Sequence, residues 1–171
     1  MKTKLYFTTM LLMGSLAVTN AQAQNPECMT NLSIFSEHAK VKNYDAAYTP
    51  WKMVYENCPD SNWAVYAYGE RILKDKIEKS SGADKDSYIA QLMGVYDNSL
   101  KYFPKKAKKA DVIIDKVLLK YDNKMTNDDE IYEMLGQAFK EDKDNFKNPK
   151  ALYLYFSSLV DLNGAGKKDL R

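Results

Sequence analysis

The stretch Tyr44-Asp45-Ala46-Ala47-Tyr48-Thr49-Pro50-Trp51-Lys52-Met53-Val54-Tyr55-Glu56-Asn57-Cys58-Pro59 decides how this chain folds. Tyr44, Ala47, Trp51, Val54 and Tyr55 recur at intervals of three and four, which puts them on one face of a helix, and Pro59 stops it. Pro50 lies inside the pattern; it removes one hydrogen bond and predicts a kink. Upstream, Leu32, Phe35 and Ala39 predict a partner helix over about residues 29–41, with Lys42-Asn43 as the turn. Two helices joined so closely form an antiparallel hairpin.

Downstream, strand patterns are nearly absent and the same spacing recurs. Asn62 caps a third helix carrying Val65, Tyr68, Gly69 and Ile72 and reaching Ile77, before Ser80-Ser81-Gly82. Gly69 in its middle predicts that another helix crosses closely there. A fourth helix spans about 84–102 and ends at Pro104, and a fifth runs from about Lys106 to Lys120. Asn127 caps a sixth with Ile131, Leu135, Ala138 and Phe139. The seventh has Pro149 in its first turn and closes at Asn163-Gly164-Ala165-Gly166. The fold class predicted is all-α, antiparallel hairpins stacked as a short solenoid. Seven is an odd count for paired helices, and a terminal repeat needs a polar outer face. Either the seventh helix caps the array or, as its apolar character favours, the array continues past residue 171.

Residues 1–23 read as a secretory leader: Met1-Lys2-Thr3-Lys4, an apolar run from Leu5 to about Val18, then Ala21-Gln22-Ala23, with cleavage before Gln24. The run is interrupted by Gly14 and Ser15 and is shorter than the roughly 20 residues of a spanning helix. Asn25-Pro26-Glu27 before Cys28 argue against lipidation. Residues 24–171 then form the helical-repeat domain, exported to the periplasm or otherwise held at the cell envelope, with no later transmembrane segment. The leader takes two lysines with it, leaving 23 basic and 23 acidic side chains, so nucleic acid is not an implied partner. An oxidising compartment allows Cys28 and Cys58 to pair. Cys28 starts the first helix and Cys58 ends the second, and in an antiparallel hairpin those ends meet. Two separate buried thiols are the alternative reading.

Tyr44, Ala47, Trp51, Val54 and Pro59 follow the spacing of the second helix of a tetratricopeptide repeat. Phe35 stands where that motif wants a small or tightly packed residue. Gly69 holds the small-residue position of the next unit, and Tyr96 with Pro104 repeats the eight-residue spacing of Trp51 with Pro59. A lengthened loop at Ser80–Asp86 opens that unit, and no clean motif follows residue 105. The chain resembles tetratricopeptide-repeat-like periplasmic proteins of Bacteroidota. The resemblance implies no catalytic residues and no cofactor.

Stacked hairpins bury their apolar faces and create one concave surface. On the third helix Trp63, Tyr66, Glu70 and Lys74 repeat opposite Val65, Tyr68 and Ile72 and are the candidate binding residues, with Trp63 as anchor. The competing reading makes Trp63 and Tyr66 core aromatics between hairpins. Gly164-Ala165-Gly166-Lys167-Lys168 lacks the first glycine and the Ser or Thr of a phosphate loop and follows a helix. Asp128-Asp129-Glu130 and Glu141-Asp142-Lys143-Asp144 lack the features of a calcium loop. His38, the only histidine, has no second histidine for a metal site. Lys105, Lys106, Lys108 and Lys109 circle a helix start and read as a solvated flank. The function expected is a non-enzymatic scaffold that binds an envelope protein or peptide segment. The alternative is an envelope carbohydrate-binding protein or enzyme with its site between hairpins, where Trp51, Trp63 and tyrosines stack on sugar rings.

Overall fold

The computed structural model describes residues 25–169; the expected leader lies outside them. Seven α-helices follow in order: α1 (Pro26–Lys40), α2 (Tyr44–Asn57), α3 (Ala64–Lys79), α4 (Gly82–Tyr102), α5 (Lys109–Asp122), α6 (Asp128–Glu141) and α7 (Pro149–Gly164), with a short 3-10 turn at Lys143–Asn145. They pack as adjacent antiparallel pairs, α1 on α2, α3 on α4 and α5 on α6, with α7 laid against α6. None of the described helices is long and apolar enough to cross a membrane.

Asparagine sets most of the helix starts. The side chains of Asn25, Asn43, Asn127 and Asn148 accept from backbone N–H groups of the first turns of α1, α2, α6 and α7, and Asn62 accepts from Ala64 N at 2.8 Å at the head of α3. Each bond satisfies a donor that a helix N-terminus otherwise leaves open. Asn25, followed by Pro26 in the first turn, starts α1 three residues before the expected position. α2 runs through Pro50 without interruption.

Two sequence expectations need correction. No lengthened loop opens the second hairpin: only Ser80 and Ser81 separate α3 from α4, because Gly82 takes a left-handed φ of 57° and turns the chain at once. α5 begins at Lys109 instead of Lys106. After Phe103 caps α4, the segment through Lys108 turns back on itself, and Phe103 O accepts from Lys106 N and Ala107 N.

Cys28 and Cys58 form a disulfide that joins the start of α1 to the end of α2, with Cα atoms 6.3 Å apart. Beside it lies the first core, built on Phe35, Trp51, Val54, Val65, Ile72, Leu73, Leu92 and Val95. Trp51 is fully buried, stacks on Tyr55 at 5.2 Å and donates its indole N–H to Val65 O at 2.7 Å. Gly69 makes that approach possible: a Cβ there would lie 2.6 Å from Trp51 Nε1. The close helix crossing expected at Gly69 is therefore the seat of the indole. A second core joins α5, α6 and α7 through Ile113, Ile114, Val117, Leu135, Phe146 and Leu154. α5 serves both, sending Val112 and Leu119 toward the first core.

Candidate functional site

The stacking is regular except at one junction. α1 and α3, the first helices of successive hairpins, touch, and so do α5 and α7. No Cα of α3 comes within 8 Å of one in α5, so these two helices splay and only α4 connects the hairpins. The opening between them is a cleft in two connected parts. An inner cavity of about 150 Å³ is lined by residues including Trp63, Tyr66, Glu70, Tyr96, Lys106, Lys108, Asp111 and Asp115. A wider part of about 490 Å³ continues past Lys74, Ile77, Glu78, Lys85, Leu118, Asp122 and Lys150, and Asp115 lines both.

All four residues singled out on α3 line this cleft, but they do so differently. Tyr66 is only 2% exposed and its hydroxyl donates to Pro59 O at 3.0 Å, so it is a core residue that forms the floor. Burial drives its phenol well above the ordinary tyrosine range. Trp63 is half-buried at the head of α3, with its ring against Tyr66 at 6.0 Å and Phe103 at 5.8 Å. Tyr66 and Phe103 are themselves 5.5 Å apart, which closes an aromatic triad at the inner end. Phe103 meets both Trp63 and Tyr66 edge-on, whereas Trp63 lies tilted over Tyr66.

Glu70 sits one turn beyond Tyr66 and its Oε1 accepts from Lys74 Nζ at 2.7 Å. This pair is partly solvated and spans four residues of one helix, so it contributes about 0.3–0.5 kcal/mol. Tyr96 from α4 also donates to Glu70 Oε1, over a long 3.4 Å. Burial, followed by the charges of Glu70 and Asp115, pushes the Tyr96 phenol far up.

Facing them from α5 is Asp115, which the sequence reading missed. Its carboxyl is pushed up to about 6, first by burial and then by the negative charge of Glu70; Lys74 pulls the other way and Asp111 adds to the rise. The signal was present in the sequence: Asp115 is the lone acid inside the apolar run Val112-Ile113-Ile114-Asp115-Lys116-Val117-Leu118-Leu119. An acid in such a run faces either a partner or a cleft. The cleft thus offers an aromatic inner end, an acidic centre of Glu70, Asp111 and Asp115, and lysines at both ends. It can accept hydrogen bonds from N–H or O–H groups at its centre and seat an apolar or ring-shaped group against Trp63.

The other residues considered lie elsewhere. His38 is on α1 and Trp51 is sealed in the first core. Asp128, Asp129 and Glu130 form the first turn of α6, where negative charge favours the helix dipole, and Glu130 pairs with Lys120. Gly164 ends α7, and Gly166 takes the left-handed φ of 73° that closes its last turn. In the basic run, Lys109 pairs with Glu141 while Lys106 and Lys108 line the cleft, so the run borders the candidate site. Among the described residues no group of three or more His, Cys, Asp or Glu is placed to hold a metal ion. No protein-family model matches the chain, and no curated protein matches it.

Proposed function

We propose that this protein is an exported, non-enzymatic scaffold of the tetratricopeptide-repeat-like kind that binds a segment of an envelope protein in the cleft between α3 and α5. The observation that carries this reading is the splaying of α3 from α5, which opens an elongated trough where regular stacking would leave none. A trough open along its length suits an extended or helical peptide better than a small enclosed ligand. Backbone N–H groups or basic side chains of the segment meet Glu70, Asp111 and Asp115. An apolar side chain docks against Trp63, a rigid aromatic of the type that dominates binding energy at protein interfaces.

A photo-activated cross-linking residue at Ala67 in the cleft, compared with one at Glu37 on the exposed side of α1, tests this directly in cells. The expected result is a reproducible protein adduct from Ala67 alone. With the captured partner in hand, Trp63→Ala is expected to weaken binding by at least about tenfold. Adducts of equal yield from both positions count against the cleft. A loss of about 3–5 kcal/mol of stability with unchanged affinity would assign Trp63 to packing alone.

A second reading is favoured by one observation, the placement of the Asp115 carboxyl beside Glu70 with Trp63 in the same cavity. Two carboxylates near a stacking ring also suit a carbohydrate, bound or hydrolysed. Calorimetric titration with envelope glycans decides it. Heat lost in Asp115→Asn and Trp63→Ala supports the sugar, and no heat with any glycan removes it.

A further inference from the structure

The centre of the cleft carries more negative charge than its surroundings offset. Glu70, Asp111 and Asp115 all line the inner cavity, and among the described residues the only ion pair that reaches them is Lys74 with Glu70. The ion pairs that α4, α6 and α7 make with α5 go to other residues: Asp97 to Lys116, Glu130 and Glu141 to Lys120 and Lys109, and Lys150 to Asp122. What faces Asp115 is Glu70 and Lys74 from α3, Tyr96 from α4 and Asp111 from its own helix. Two carboxylates held together in a half-buried cleft repel, and one cation between them relieves both.

Tyr96 supplies an independent observation at the same place. It is only 4% exposed, yet its hydroxyl meets Glu70 Oε1 at 3.4 Å, well beyond the roughly 2.5–3.0 Å of a good O–H···O bond. A buried hydroxyl bonded so loosely in the wall of a cavity has capacity left for a ligand. The cavity of about 150 Å³ has the room of about five waters, which fits one long side chain and not a folded element. Along α3, Trp63 lies seven residues before Glu70, about 10 Å at the rise of a helix. Lys106 and Lys108 stand in the same cavity, so a run of basic residues meets repulsion there and a lone one does not.

Resting on the reading of this cleft as a peptide trough, we propose that it selects segments with one lysine or arginine bound between Glu70 and Asp115 and an apolar side chain about 10 Å away against Trp63. The cation donates to both carboxylates and to the Tyr96 oxygen, whose own proton stays directed at Glu70. Charge-assisted bonds of this kind are the strong ones, and a neutral donor leaves the repulsion in place. The Asp115 carboxyl, raised to about 6, must be ionised to take part, so binding is full above neutral pH and fades as acid protonates it. His38, the only histidine, is on α1, so no imidazole in the cleft titrates in that window.

Short random peptides displayed on phage and selected at pH 7.5 on the purified full chain test it, with the best histidine-free binder remade as a synthetic peptide for calorimetry. The expected set carries a single lysine or arginine, and replacing that residue by glutamine weakens binding about tenfold or more. Asp115→Asn, which keeps the shape of the side chain, has a similar effect. Binding to the parent falls about tenfold between pH 7.5 and pH 5, where the carboxyl is about nine-tenths protonated, and binding to Asp115→Asn changes far less. Trp63→Ala reports separately whether the peptide lies in the cleft. Peptides that need Trp63 but carry no basic residue, or that bind Asp115→Asn as tightly as the parent, overturn the cation and leave the trough standing. Peptides indifferent to both variants, or no enriched peptide at all, overturn both readings.

Discussion

Replacing Gly69 by alanine sets two effects of opposite sign against each other, and the structure decides between them. In an exposed helix interior the change is worth about 1 kcal/mol of added stability through helix propensity. At this site the new Cβ would lie 2.6 Å from Trp51 Nε1 and 2.8 Å from two ring carbons. The indole cannot move aside freely, since it is fully buried, stacked on Tyr55 and bonded to Val65 O. Overpacking of this kind costs about 1–3 kcal/mol. If the ring retreats, its N–H loses the Val65 carbonyl and is left buried without an acceptor, which costs about 1–3 kcal/mol more. The net expectation is a destabilisation of about 3 kcal/mol, which lowers the midpoint of thermal unfolding by roughly 6–12 °C for a chain of 171 residues. Urea denaturation followed by circular dichroism, with tryptophan fluorescence alongside, measures it. Gly94→Ala is the comparison, because its Cβ would meet only the Tyr55 hydroxyl at 3.3 Å, and it is expected to fall within about 1 kcal/mol of the parent. If Gly69→Ala is as stable as the parent or more so, propensity has won and the account of the indole seat is wrong.

Three further outcomes follow from the same structure. Replacing both Cys28 and Cys58 by serine opens a loop of about 30 residues and is expected to cost about 3–4 kcal/mol in chemical denaturation, with an unchanged result counting against any contribution of the bond to stability. Asn148→Ala removes the acceptor for Lys150 N and Ala151 N at the head of α7 and should cost about 1 kcal/mol, read from the urea midpoint at constant slope. Asp115 has a carboxyl raised from 3.8 to about 6, so between those values the folded chain holds a proton that the unfolded chain has released. Its contribution therefore favours folding at low pH and declines as pH rises through that window. Two pH units correspond to about 3 kcal/mol, which partial exposure reduces to about 2 kcal/mol. Asp115→Asn should be more stable than the parent by that amount at pH 7.5 and equal to it near pH 4; lower stability at pH 7.5 would refute the assignment.

The helices were legible because each carries its own periodic apolar face, and that information is local. Asn62, Asn127 and Pro149 gave their starts correctly, while α1 was placed late because Asn25 was read as leader-adjacent sequence instead of a cap. The meeting of Cys28 and Cys58 was readable from hairpin geometry, since an antiparallel pair brings those ends together; that they bond and do not stay as two buried thiols is what the structure adds. The cleft was legible by half. The α3 residues were found from spacing, but which of them would be floor and which would be wall depends on Phe103 and α4, which arrive from outside the helix. Tyr66 and Trp63 look alike in a list of positions and differ only through that packing. Asp115 went unnoticed because its neighbours were read for their apolarity, and the splaying of α3 from α5 is a relation between two elements that neither one encodes.

That splaying also bears on how the molecule comes apart. In a linear array each unit is held by its own stability plus its coupling to the next, and cooperativity breaks where coupling is weakest. Trp51 reaches across from α2 to the Val65 carbonyl and ties the first two hairpins into one block, whose leading end the disulfide also clamps. Between that block and α5–α7 only α4 makes the connection, with Val112 and Leu119 as the apolar contribution from the far side. The amides of α5, α6 and α7 should therefore exchange with deuterium as a single group at lower free energy than those of α2 and α3. A segment lying in the trough would touch both blocks, so its arrival should raise the exchange free energy of α5–α7 toward that of α2 and α3.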